Sequence, residues 1–190
     1  MNRRSLLRVI SASAVLAACG SAGSTAGGTA TRSPNPSPSA APSKATVELQ
    51  KGGAFTFALR GDKAPNTVAN FARKSRAGEY DGTTFHRVVA GFVAQGGDPL
   101  SKTLSAGDPR LGTGGGNQPT ELSDLPFSKG AVGVARGGDI KVSNDSQFYV
   151  CLEAAPHLNG QYTNFGQVSA GMDVVAGIRV GDKIKTVKVE

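Results

Sequence analysis

The stretch Phe85-His86-Arg87-Val88-Val89-Ala90-Gly91-Phe92-Val93-Ala94-Gln95 sets one guanidinium and one carboxamide in two short apolar segments around a glycine. No carboxylate is adjacent in sequence to pair with Arg87. An arginine stays protonated, so it cannot serve as a base, and its planar fork donates hydrogen bonds in fixed directions. The chemistry open to Arg87 and Gln95 is therefore directional donation to an acceptor. The alternative is an arginine snorkelling from a sheet edge.

Other chemistries find no footing. Gly112-Thr113-Gly114-Gly115-Gly116 is glycine-rich, but no Gly-Lys-Ser/Thr follows and no βαβ unit surrounds it, so it reads as a surface loop. His86 and His157 are the only histidines and lack the spacing of a metal site. Alternation along a strand places His86 on the face opposite Arg87, as a structural residue. No Gly-x-Ser-x-Gly elbow is present. Cys151, inside the apolar run Phe148–Leu152, reads as a small buried hydrophobe, and no disulfide is expected. Neither a metal nor a cofactor is expected.

The elements that must position these residues are mostly short strands. Thr46–Leu49 and Phe55–Leu59 alternate on either side of Lys51-Gly52-Gly53, a hairpin. Pro65 opens a helix whose Val68, Phe71 and Ala72 share one face, and Gly78 closes it. Further strands are predicted at Thr84–Val88, Gly91–Gln95, Ala131–Ala135, Gln147–Cys151, Phe165–Val168 and Ile184–Val189, with a second helix at Gly171–Ile178. Many short strands with two helices predict a mainly β fold, a closed or nearly closed antiparallel sheet capped at its ends.

Composition divides the 190 residues into three zones. Residues 1–18 carry Arg3, Arg4 and Arg8, a short apolar run and the exit Leu16-Ala17-Ala18 before Cys19. That is the layout of an export signal, and the apolar part is too short to span a bilayer. The exit resembles a bacterial lipoprotein signal, which implies a lipidated Cys19 and an extracytoplasmic, membrane-anchored protein. Residues 19–44 then form a tether of Gly, Ser, Thr, Ala and Pro with too little apolar content to fold. Residues 45–190 form the globular domain, expected as a monomer. Without Arg3, Arg4 and Arg8 the formal charge of +7 falls to +4, and no basic run is long enough for a nucleic-acid partner.

Taken together, Phe85 to Asp98, Ala64 to Phe71, Tyr80-Asp81-Gly82, Gly112 to Gly115, Ser146 to Tyr149 and His157 to Gly160 running on to Phe165-Gly166 resemble a cyclophilin, a peptidyl-prolyl cis-trans isomerase. The resemblance covers about Ala45 to Glu190 and implies an eight-stranded antiparallel β-barrel capped by two α-helices. It implies Arg87 as the donor to the proline nitrogen and Gln95 as the group that helps hold it. Phe92, Val93, Tyr149 and Leu158 would wall the proline pocket. Gly112, Ala135, Arg136, Gln147, His157 and Tyr162 would line the groove for flanking residues. The implied partners are proline-containing segments of exported proteins as they fold.

Departures from the family pattern are specific. Val93 stands where methionine is common, Ala90 replaces a turn proline, and Tyr149 replaces a phenylalanine, so its hydroxyl must find a partner or point outward. His157 takes the place of a tryptophan associated with cyclosporin; catalysis is expected to survive this, and tight cyclosporin binding is not implied. The link Pro99–Leu111 is longer than usual and is expected to shape access to the groove. A non-catalytic proline-peptide-binding module and a purely structural lipoprotein are the competing readings. The first of these would work without the guanidinium.

Overall fold

The computed structural model describes residues 42–190, so the predicted leader, the lipidated Cys19 and all but the end of the tether lie outside the described residues. Chain order is β1 (Lys44–Leu49), β2 (Ala54–Leu59), α1 (Pro65–Arg76), β3 (Phe85–Val89), β4 (Val93–Gly96), β5 (Asn117–Pro119) and β6 (Ala131–Arg136). It continues with β7 (Val142–Cys151), β8 (Asn164–Ala170), α2 (Met172–Ala176) and β9 (Ile184–Val189).

Eight strands pair antiparallel in the order β3-β4-β7-β6-β8-β2-β1-β9. The ends of that path meet at a bridge between Thr84 and Lys183. Phe85 N–H donates to the Asp182 carbonyl (2.9 Å) and Gly181 N–H to the Phe85 carbonyl (2.9 Å), so the sheet closes on itself. The expected barrel with two helices is therefore present. Its entry and exit lie side by side, because Lys44 N–H donates to the Glu190 carbonyl (3.0 Å) and Glu190 N–H to the Lys44 carbonyl (3.0 Å).

Helix α1 forms where Pro65 presets φ at the first turn, and it ends near Gly78, whose φ of 68° suits a residue without Cβ. Its Phe71 packs among Phe57, Tyr80, Phe148 and Phe165 with ring centroids 5.1–5.8 Å apart, edge-to-face with Phe57 and Phe148 and tilted against the other two, plugging the barrel.

Several boundaries differ from the sequence expectation. β1 begins at Lys44, at the end of the predicted tether. β4 begins at Val93, since Ala90–Phe92 form the turn. β5 was not anticipated, and it pairs with the first half of a β7 five residues longer than predicted. α2 is shorter, closing at Gly177. The missed residues are polar: Ser143, Asn144 and Asp145 carry no apolar alternation, and cross-strand and loop hydrogen bonds hold them instead.

Candidate active site

Strict alternation has two outcomes on the strands that carry the site. In β7, Phe148 and Val150 face the barrel core, while Tyr149 and Cys151 face outward into a second apolar cluster with Val93, Phe127, Ala155 and Leu158. In β3 the alternation breaks. Phe85 pairs with Gly96 and Arg87 with Gln95, so the register slips between Phe85 and Arg87. His86 is the extra residue of this bulge. In a plain strand of the same length Arg87 would share the inward face of Phe85; with the bulge, Arg87 points outward beside Gln95, and Val88 packs against the core. The bulge aims the arginine.

A chain of amides then fixes the arginine's neighbour. The Gly114 carbonyl can only accept, so Gln147, only 2% exposed, turns its NH₂ toward it (Nε2–O 2.7 Å). Gln147 Oε1 thereby faces Gln95, which must present its NH₂ (3.1 Å) and leave Oε1 toward Arg87. Arg87 Nη1 donates to that oxygen at 3.5 Å, the longest link, so the exposed guanidinium is oriented yet keeps donors free for a ligand. Asn144 anchors the far end, its Nδ2 donating to the Gly114 carbonyl (3.0 Å) and its Oδ1 accepting from Ser146 N–H and Gln147 N–H (2.8 Å each).

Arg87, Phe92, Val93, Gln95, Ala135, Arg136, Tyr149, Leu158 and Tyr162 line one cavity of about 260 Å³. Gly112 and Gln147 line an adjoining cavity of about 310 Å³, which shares Gln95, Ala135 and Arg136. His157 lines neither. It is exposed on a short 3₁₀ turn and stacks on Phe92 from outside, ring centroids 5.3 Å apart. The supports that sequence reading missed are Gly114, Asn144, Phe127 and Gly133. Gly114 acts through its carbonyl, Asn144 through its side-chain amide, and Phe127 and Gly133 through packing against Tyr149, roles visible only once the strands are paired.

Three expectations need correction. Tyr149 OH neither finds a partner nor points outward: it is buried without a hydrogen bond, and burial pushes its ionisation upward. Gly133 faces it across the strand pair, where any Cβ would collide with the tyrosine ring and hydroxyl. His86 is not on a plain alternating face. It is half-buried in the bulge, both ring nitrogens lack partners, and desolvation lowers its pKa. The long link 99–111 contributes no residue to either cavity. Instead Asp98, fully buried, accepts from Leu100 N–H (2.8 Å), Gly112 N–H (2.6 Å) and Gly114 N–H (3.3 Å), fastening both ends of the loop. Ser101 Oγ accepts from Thr84 N–H (2.9 Å) at the barrel seam. Cys151 is buried and free, its thiol pushed up to about 12 by desolvation, so it is no nucleophile.

The antiparallel barrel thus carries an apolar pocket on its outer face, with a guanidinium held on one wall and open to a ligand. The family model for cyclophilin type peptidyl-prolyl cis-trans isomerase/CLD matches residues 44–190. A probable peptidyl-prolyl cis-trans isomerase of Brucella suis is 43% identical over 138 residues, covering 70% of each chain. A peptidyl-prolyl cis-trans isomerase of Synechococcus elongatus is 40% identical over 150 residues, 77% of this chain and 95% of that one. The crystal structure of a Cryptosporidium parvum cyclophilin superposes with a TM-score of 0.67 at 25% identity, covering 78% of this chain and 98% of its own. The chain belongs to the cyclophilin family, and it is a peptidyl-prolyl cis-trans isomerase.

Proposed function

We propose that this isomerase accelerates X–Pro rotation in exported proteins as they fold, with Arg87 donating to the proline nitrogen. Amide resonance sets a barrier of about 18–20 kcal/mol. At the twisted transition state the nitrogen becomes pyramidal and regains a lone pair. A donor aimed at that lone pair bonds the transition state and not the planar ground state, which is what lowers a barrier. About 7 kcal/mol would give roughly 10⁵-fold. The observation that carries this reading is the relay Gly114–Gln147–Gln95–Arg87, which aims the guanidinium over an apolar pocket wide enough for a proline ring. Phe92, Val93, Tyr149 and Leu158 supply the pocket walls and exclude water.

Export and anchoring rest on the leader, Arg3 to Ala18, and on Cys19 behind it. The tether would hold the domain off an extracytoplasmic membrane surface, where unfolded exported chains emerge.

The test is the cis-to-trans rate of an Ala-Ala-Pro-Phe peptide with the full chain and with Arg87→Ala. The variant is expected to lose about 10²-fold or more, the cost of removing one preorganised donor. A variant that keeps the full rate would sink the role given to Arg87.

A further inference from the structure

We infer that Arg136 is a specificity-determining residue that selects proline segments carrying a carboxylate on a residue flanking the proline; this rests on the isomerase reading of the same site. Arg136 ends β6 on the wall between the two cavities and lines both. Its guanidinium sits 4.5 Å above the centre of the Tyr162 ring. Its Nε donates to the Gln161 carbonyl (2.9 Å) and its Nη1 to the Gly137 carbonyl (2.8 Å). Among the described residues Nη2 has no hydrogen-bond partner, and no carboxylate lies within ion-pair distance of Arg136. The guanidinium is therefore immobilised by the Tyr162 ring and the carbonyls of Gln161, Gly137 and, at 3.4 Å, Gly138, while Nη2 keeps its N–H groups free.

That arrangement favours an anion. A planar fork fixed before binding loses little rotamer freedom when it engages a carboxylate. The aromatic face beneath removes part of its water, which strengthens a charge-assisted bond relative to one on open surface. The proline pocket holds two guanidiniums, Arg87 and Arg136, and none of its lining residues is acidic. Asp139 lines only the adjoining cavity, and its Oδ1 accepts from Lys141 N–H (2.9 Å). Discrimination follows as a difference: an acidic flank gains a partner, and a basic flank meets two like charges.

The experiment measures kcat/KM by exchange NMR for four peptides with the full chain and with Arg136→Gln. The peptides are Ala-Glu-Pro-Phe and Ala-Ala-Pro-Glu, each beside its Gln counterpart. Each Glu/Gln ratio is taken within one protein, so any common loss of turnover in the variant cancels. The expected result is a preference of about three- to tenfold for Glu at one flank or the other, shrinking toward unity in Arg136→Gln and in high salt. A ratio near or below unity at both flanks, or a preference that survives in the variant, overturns the inference. The same ratios are read from binding titrations of these peptides, which decide the preference even if turnover is absent. Absent turnover would count against the isomerase reading alone.

Discussion

Tyr149 shows what a single oxygen costs in this site. Its ring lines the cavity that holds Arg87, between Phe127 on one side and Tyr162 at right angles on the other. Its hydroxyl lies against Gly133, with nothing to bond. A buried, unpaired hydroxyl costs about 1–3 kcal/mol relative to a satisfied one. Removing it leaves a small space, so the gain is partial. Tyr149→Phe is expected to raise stability by about 1 kcal/mol, seen as a melting temperature about 2–4 °C higher. Calorimetry of the two proteins checks this, and a lower melting temperature for Tyr149→Phe would mean that the hydroxyl has a partner after all. The tyrosine also makes Gly133 obligatory, since a Cβ there would have to displace the ring. Sequence alone marked Tyr149 as a pocket wall but gave no sign of this dependence, because the two residues meet only through the β6–β7 register.

Among the elements, the loop after β4 and the bulge in β3 carry the most information. The loop from Pro99 to Leu111 reads in sequence as a shaper of access to the groove, yet its fastening points serve the barrel. Asp98 gathers three backbone N–H groups at its two ends, and Ser101 supplies the acceptor for the seam residue Thr84. Asp98→Ala would leave those donors without their anionic acceptor inside the protein. It is expected to destabilise the domain by about 2–4 kcal/mol, read as a lower midpoint in urea. An unchanged midpoint would show that the loop closes without it. Helix α1 was legible because Pro65 and Gly78 act locally at its two ends. The aim of Arg87 was not legible by pattern. Alternation from Phe85 sends it into the core, and only a pairing register against Gln95 reveals the extra residue. The motif resemblance put Arg87 in the site, and the bulge explains how a strand can deliver it there. β5 was invisible for a similar reason, since Asn117-Gln118-Pro119 has no strand pattern and pairs only because β7 extends past it.

At the scale of the whole molecule, the reading of residues 1–18 as a leader ahead of a lipidated Cys19 has its own test. Cys19→Ser is expected to release the protein from the membrane fraction into the soluble extracytoplasmic fraction, while its isomerase rate is kept. Two acyl signals on one cysteine are needed for stable anchoring, so loss of the thiol removes the attachment outright. Continued sedimentation of the variant with membranes would contradict lipidation at that position. Among the described residues, those lining the two cavities all lie between Arg87 and Tyr162.

The ring order also separates the groove from the point where the chain enters the barrel. Groove residues come from β3, β4, β7 and β6, and the centre of that face, β4 beside β7, lies across the eight-membered ring from β2 and β1. The chain enters the barrel at β1, next to its own carboxyl end. The point at which the chain enters, just ahead of β1, therefore lies on the back of the barrel, away from the groove. A label attached at the exposed Ser43 would accordingly sit behind the groove and leave a bound peptide untouched.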